Sequence, residues 1–149
     1  MIYTDMTKKA LRLCFEAHRE QTDKSGLPYV FHPFHLAEQM TDELTTTLAL
    51  LHDVVEDTSY TFDDLSRMGF PAEVIDHLRL LTHDKRVPYE EYLAGIKGHP
   101  AAEAVKLADL RHNSDLTRLD KEMVDAKALQ RQEKYLRAIA YLTDSQEDM

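Results

Sequence analysis

Cysteine is nearly absent: Cys14 is alone in 149 residues, so no intramolecular disulfide can form and nothing points to an oxidising compartment. Glycine is scarce, with four in the chain, and no Asn-Gly or Asp-Gly pair marks a tight hairpin. Basic residues are outnumbered, 18 Lys and Arg against 27 Asp and Glu, for a formal charge of −9. A general nucleic-acid binder needs a basic face to neutralise phosphates, so that class is excluded. A small anionic substrate is not, because a site can be locally positive or hold a metal. Long apolar runs are also missing. The stretches Leu48-Ala49-Leu50-Leu51 and Tyr29-Val30-Phe31 are far too short to span a bilayer. The first twenty residues carry Asp5, Lys8, Lys9, Arg12, Glu16 and Arg19, against a signal peptide. The expectation is a soluble cytoplasmic protein with no membrane partner.

What the chain does contain is enough for a core. Hydrophobic residues make up 43% and charged residues 30%, which excludes a wholly disordered chain. The length fits one domain, able to bury roughly 70% of its unfolded surface.

Ala, Leu, Glu, Lys and Arg dominate and favour helix. Met6, Ala10, Cys14, Ala17 and Gln21 recur at helical spacing, predicting an amphipathic helix of about five turns, broken by the loop Asp23 to Pro28. Further helices are expected over His32–Met40 and Leu44–Val55, then near 61–68, 71–82, 88–97, 100–118 and 124–143. Thr61 followed by Asp64 resembles a capping box. Pro71 and Pro100 suit first helical turns, and Gly69 and Gly98 suit helix ends. In the last helix Ala128, Leu129, Gln132, Tyr135, Leu136, Ile139 and Leu142 form the expected packing face, and the tail Asp144 to Met149 is expected to fray. Phe70 and Tyr141 could face either the core or a partner. The fold class that follows is all-α, a single-domain helical bundle over residues 1–149.

Three segments could carry chemistry. The first is His52-Asp53, which follows an apolar run and is therefore expected in buried surroundings. A continuous helix would set Glu56 one turn after His52 and Asp57 one turn after Asp53, crowding four polar groups at one buried end. Carboxylates that close repel one another unless a cation sits among them. The second is Val105 to Asn113, with Asp109 and Asn113 one turn apart. The third is Pro28 to Pro33, where His32 opens a helix. His32, His52, Asp53 and Asp109 form a mixed nitrogen and oxygen set suited to Mn²⁺, Fe²⁺ or Zn²⁺, with positions open for water and substrate. His18, His35, His77, His83 and His99 lack such context and read as packing or surface residues. His112 reads equally as a support for a ligand or as a packing residue.

The order His, then His-Asp, then Asp resembles the HD-domain metal-dependent phosphohydrolases. The closer resemblance is to the hydrolase domain of RelA/SpoT proteins and the small alarmone hydrolases. It is carried by Ala17-His18 with Gln21, by Lys24-Ser25-Gly26 through His32-Pro33, by Ala49 to Thr58 with Thr61, and by Val105 to Asn113. It implies an all-helical bundle and one divalent ion, usually Mn²⁺, held by His32, His52, Asp53 and Asp109. It implies that Glu56 and Asp57 position or activate water and handle protons, and that Lys24, Ser25 and Asn113 meet a nucleotide. The reaction it implies is removal of the 3′-pyrophosphate from guanosine tetraphosphate or pentaphosphate. Nothing resembles the synthetase domain, so no synthesis is expected. Two positions depart from the family pattern, Asp23 and Asp115, where arginines are usual. Arg111 or Arg118 could compensate. Two other readings stay open: an orthophosphate-releasing hydrolase of another nucleotide or phosphoester, and a non-catalytic nucleotide-binding module.

Overall fold

The computed structural model describes residues 1–144, and among them the regular elements are all helical apart from one isolated antiparallel bridge between Thr22 and Pro28. The all-α expectation holds. The expected fraying of the tail falls, beyond Asp144, outside the described residues.

Helix α1 (Asp5–His18) opens on a reciprocal cap: Thr4 Oγ1 accepts from Thr7 N–H at 3.2 Å and Thr7 Oγ1 accepts from Thr4 N–H at 2.7 Å. It buries Ala10, Leu13, Cys14 and His18, and stops at His18, short of the expected Gln21. The chain leaves the helix because Gln21 and Asp23 have other partners. The Gln21 carbonyl accepts from Tyr29 N–H at 2.9 Å and Asp23 N–H donates to the Leu27 carbonyl at 2.8 Å, closing the 21–29 loop. Gly26 turns this loop in the left-handed region, φ +81°.

Helix α2 (Phe31–Glu38) and helix α3 (Glu43–Leu51) follow, the second capped by Asp42, whose Oδ1 accepts from Thr45 N–H at 2.7 Å. All residues of α3 from Thr45 to Leu51 are buried, as befits a central helix surrounded by α1, α2, α6 and α8. The expected helix Leu44–Val55 does not run through. Asp53 (φ −107°, ψ 1°) turns the chain, and α4 (Val54–Asp57) is a separate turn of helix. The break has a chemical consequence. Adjacent helical residues diverge by about 100°, whereas here His52 Nε2 and Asp53 Oδ2 converge to 3.1 Å.

Helix α5 (Phe62–Arg67) begins on the expected Thr61–Asp64 capping box. Gly69, φ +96°, ends that segment, and a Cβ there would lie 2.8 Å from Lys9 Nζ. Pro71 stands just before α6 (Ala72–Leu81) rather than inside its first turn, while Pro100 does open α8 (Pro100–Asn113). Between them lies α7 (Tyr89–Ile96). Helix α8 ends five residues before the expected 118, because Asp115 Oδ1 accepts from Thr117 N–H at 3.0 Å and from Thr117 Oγ1 at 2.6 Å. A side chain that satisfies the backbone this way competes with helix, and a 3₁₀ turn, Leu116–Arg118, results.

The last helix, α9 (Ala126–Thr143), packs on α8. Its buried stripe is Ala128, Ala138 and Leu142 with the partly buried Tyr135 and Ile139. Leu129 and Leu136, expected on that face, are 50% and 51% exposed. Small alanines let α9 approach closely and turn the leucines outward. Phe70 belongs to the core; Tyr141 is exposed, with Lys97 Nζ 4.4 Å from its ring centre. Among the described residues, no helix is long and apolar enough to cross a membrane.

Candidate metal centre and active site

Three elements deliver one candidate ligand each. His32 is on the first turn of α2, His52 ends α3, and Asp109 sits on α8; all three are buried, and one donor atom from each lies within 4.8 Å of the others. His32 Nε2 is 2.9 Å from Asp109 Oδ1. His52 Nε2 is 3.6 Å from the same oxygen and 3.1 Å from Asp53 Oδ2, yet it completes no hydrogen bond. A carbonyl only accepts, so the 2.7 Å contact from His52 Nδ1 to the Ala49 carbonyl fixes the proton on Nδ1. In the neutral ring Nε2 then presents a lone pair toward the carboxylates. Burial disfavours the His52 imidazolium, but Asp53 and Asp109 outweigh it and hold its pKa well above the ordinary value. The centre therefore calls for positive charge at that spot. A buried nitrogen lone pair facing carboxylate oxygens, anchored through its second nitrogen, fits a divalent cation.

Asp53 adjoins both this trio and a second acidic cluster with Glu56 and Asp57. Tyr29 donates its hydroxyl to Asp53 Oδ2. Glu56 and Asp57 are exposed, not buried as the continuous-helix reading expected; the break at Asp53 lifts them onto a cavity wall. Partial burial and the neighbouring Asp53 and Glu56 push the Asp57 carboxyl up to about 6. Glu56 Oε1 accepts from His83 N–H at 2.8 Å, and Gln21 Nε2 donates to the Asp57 carbonyl at 3.0 Å.

A supporting layer orients the trio. Lys106 Nζ donates to Asp109 Oδ2 at 3.0 Å, and Asn113 Nδ2 donates to Asp109 Oδ1 at 3.0 Å. Burial opposes ionisation of Asp109, but Lys106, His32 and His52 hold its carboxyl well below the usual range. His112 Nδ1 lies 2.7 Å from His32 Nδ1, and its ring packs 4.1 Å from that of His35. Burial and nearby Arg118 push the His112 imidazole down to about 3, which keeps it neutral beside His32.

Two cavities flank the centre. One, about 300 Å³, is lined by Lys24, Ser25, Tyr29, His32, Asn113 and Arg118 among others. The other, about 200 Å³, is lined by His52, Asp53, Glu56, Asp57, Lys106 and Asp109 among others. Asn113 and Tyr135 border both.

No protein-family model matches the chain. Individual proteins do. The guanosine-3′,5′-bis(diphosphate) 3′-pyrophosphohydrolase MESH1 of Danio rerio is 34% identical over 141 residues, 85% of this chain and 78% of that protein. The chain belongs to the MESH1/SpoT family of HD-domain hydrolases. The bifunctional (p)ppGpp synthase/hydrolase SpoT of Escherichia coli K12 is 32% identical over 71% of this chain, a match that spans 17% of SpoT. A solved structure described as a metazoan ortholog of SpoT that hydrolyzes ppGpp superposes with TM-score 0.79 at 25% identity, covering 97% of this chain and 89% of that one.

Set against the MESH1/SpoT resemblance, the structure brings His32, His52 and Asp109 together with Asp53 alongside, and puts Glu56 and Asp57 next to Asp53. Lys24 lines the larger cavity. Ser25 lines it too, but donates its hydroxyl proton to the Arg118 carbonyl at 2.8 Å. Asn113 borders both cavities while it orients Asp109. Sequence reasoning passed over Tyr29, Lys106 and His83. Lys106 had a signal, since it precedes Asp109 by three helical residues. His83 had none: its contact with Glu56 joins residues 27 apart in the chain.

Proposed function

We propose that this chain is a divalent-metal-dependent phosphohydrolase that removes the 3′-pyrophosphate of guanosine tetraphosphate, as its MESH1 relative is named for doing, in keeping with the (p)ppGpp hydrolase part of the SpoT name. The observation that carries the reading is His52 Nε2, buried, completing no hydrogen bond and facing the carboxylates of Asp53 and Asp109. His32, His52, Asp53 and Asp109 hold the ion; their nitrogen and oxygen donors suit Mn²⁺, Fe²⁺ or Zn²⁺, and the family resemblance points to Mn²⁺ among these. When bound, the ion supplies Lewis acidity toward a phosphoryl oxygen and makes water more acidic.

The remaining work belongs to the side chains. Asp57 accepts a proton from the attacking water, for which a carboxyl near neutrality is suited. Glu56, held by the His83 amide, orients that water. The water oxygen forms a bond to the phosphorus on the 3′-oxygen, the bond from phosphorus to the 3′-oxygen breaks, the 3′-oxygen takes up the proton that Asp57 received, and pyrophosphate departs. Lys24 meets a phosphate from the larger cavity. Asn113 and Lys106 keep Asp109 aimed at the centre, and Tyr29 does the same for Asp53.

The test is a Mn²⁺-supplemented assay on guanosine tetraphosphate with products identified. Pyrophosphate and a guanosine 5′-diphosphate are expected, and Asp53→Ala abolishes turnover. Orthophosphate released from nucleoside monophosphates, with the tetraphosphate untouched, would overturn the substrate assignment. Full activity of Asp53→Ala would overturn the metal assignment.

A further inference from the structure

The larger cavity gathers Lys24, Arg118 and Arg131 in a chain of net charge −9. Partial burial and the nearby Arg131 hold the Lys24 ammonium below its ordinary pKa, so these two cations oppose one another. Two carboxylates share the wall, Asp23 and Asp115. Asp115 is turned to its own backbone through Thr117. Asp23 is divided. Its Oδ1 accepts from Ser25 N–H at 2.9 Å and Leu27 N–H at 3.0 Å, shaping the loop, while Oδ2 lies 3.8 Å from Arg118 Nη2.

Arg118 is the hub of this wall. Its Nη1 donates to the His112 carbonyl at 3.0 Å and reaches Asn113 Oδ1 at 3.5 Å. Its carbonyl accepts from Ser25 Oγ. The guanidinium thus leans on the end of α8 through one nitrogen and shows the other to Asp23, beyond hydrogen-bond length. The two side chains are 25% and 19% exposed, so the pair is neither locked away nor fully solvated. An ion pair at that distance is weak. A phosphate offers the same fork two oxygens at hydrogen-bond length, which is the stronger arrangement.

We propose that Arg118 is the specificity-determining phosphate contact of this cavity and that Asp23 is its built-in competitor, displaced from the guanidinium when a phosphate enters. The proposal rests on the nucleotide reading above. It makes Asp23 a brake on highly charged ligands: the carboxylate weakens every phosphate that reaches Arg118.

Asp23→Asn separates the two roles of the residue, because the amide oxygen still accepts from Ser25 and Leu27 while the charge is gone. Guanosine tetraphosphate hydrolysis with Mn²⁺ is measured for the parent chain, Asp23→Asn, Arg118→Gln, Arg118→Lys and the Asp23→Asn/Arg118→Gln double variant, with kcat and KM separated and melting curves to confirm folding. Asp23→Asn is expected to lower KM about two- to fivefold. Arg118→Gln raises KM about tenfold, and Arg118→Lys recovers only part of that because it lacks the fork. Asp23→Asn has no further effect on KM in the Arg118→Gln background. A KM that does not fall in Asp23→Asn, or falls equally in the double variant, would overturn the proposal. Should no variant turn over the tetraphosphate, the functional reading fails by itself. Calorimetric titration with the tetraphosphate in chelator then decides the proposal: tighter binding by Asp23→Asn and its loss in the double variant uphold it, and equal binding by all variants sinks it.

Discussion

Lys106 offers a sharp perturbation because it is the one lysine or arginine hydrogen-bonded to Asp109 among the described residues. Its Nζ is 3.0 Å from Asp109 Oδ2, with the two side chains 14% and 9% exposed. Lys106→Met keeps most of the apolar stem and deletes the charge. Asp109 is then left with His32 at 2.9 Å, Asn113 at 3.0 Å and His52 at 3.6 Å. Removing one partner of a buried pair costs about 3–5 kcal/mol. The lower end applies here, since Asn113 and the histidines still hold the carboxylate. In a chain of this size each kcal/mol moves Tm by about 2–4 °C, so a loss of about 3 kcal/mol lowers Tm by roughly 6–12 °C. Calorimetry in chelator should show that drop. An ion at the centre replaces the missing positive charge next to Asp109, so excess Mn²⁺ should raise the variant's Tm more than the parent's and narrow the gap. A gap below about 1 kcal/mol in chelator, or one that metal leaves unchanged, would refute this account of Asp109.

Three further outcomes follow from the same geometry. His112→Ala removes the ring that sets His32 through a 2.7 Å contact; metal affinity should fall about 10- to 100-fold by competition titration, while the helical content by circular dichroism stays unchanged. Asp42→Ala deletes the α3 cap and should cost about 1 kcal/mol in a urea melt, without changing metal affinity. Asp42, Asp64 and Asp125 each accept hydrogen bonds at helix starts, Asp42 first from the Thr45 hydroxyl and then from its amide, Asp64 and Asp125 chiefly from backbone amides, which holds their carboxyls below the ordinary range. Such depressed groups stabilise the fold above the unfolded value of about 3.9 and lose that contribution as pH falls through the lower folded value. Tm should therefore drop as acid is added below about pH 4, and the triple Asn variant should show a shallower drop; parallel curves would contradict it.

The candidate ligands stood out in the sequence because each sits in a short apolar context whose period declares a helix. His32, His52 and Asp109 stand on three separate helices, and only packing around α3 could bring them within 4.8 Å. What the pattern could not reveal was the turn at Asp53. The stretch from Leu44 to Val55 reads as one helix, yet the bend at Asp53 makes His52 and Asp53 neighbours and leaves Glu56 and Asp57 exposed. The partners of the ligands were hidden for a different reason. Tyr29 with Asp53 and His83 with Glu56 meet through tertiary structure, 24 and 27 residues apart. Leu129 and Leu136 misled because leucine outweighs alanine on any hydrophobicity pattern, whereas close packing of α9 on α8 selected Ala128 and Ala138. Asp115, an anion where the family pattern has an arginine, turned out to start a 3₁₀ turn that carries Arg118 to the same cavity wall.

Equilibrium dialysis of the chelator-stripped chain against Mn²⁺ reaches the centre itself, with His52→Gln as the comparison. One ion per chain should bind to the parent, and His52→Gln, folded by its melting curve, should bind it at least 100-fold more weakly. Equal affinity in the two, or no bound ion in the parent, would mean that His32, His52 and Asp109 converge for some purpose other than holding a metal.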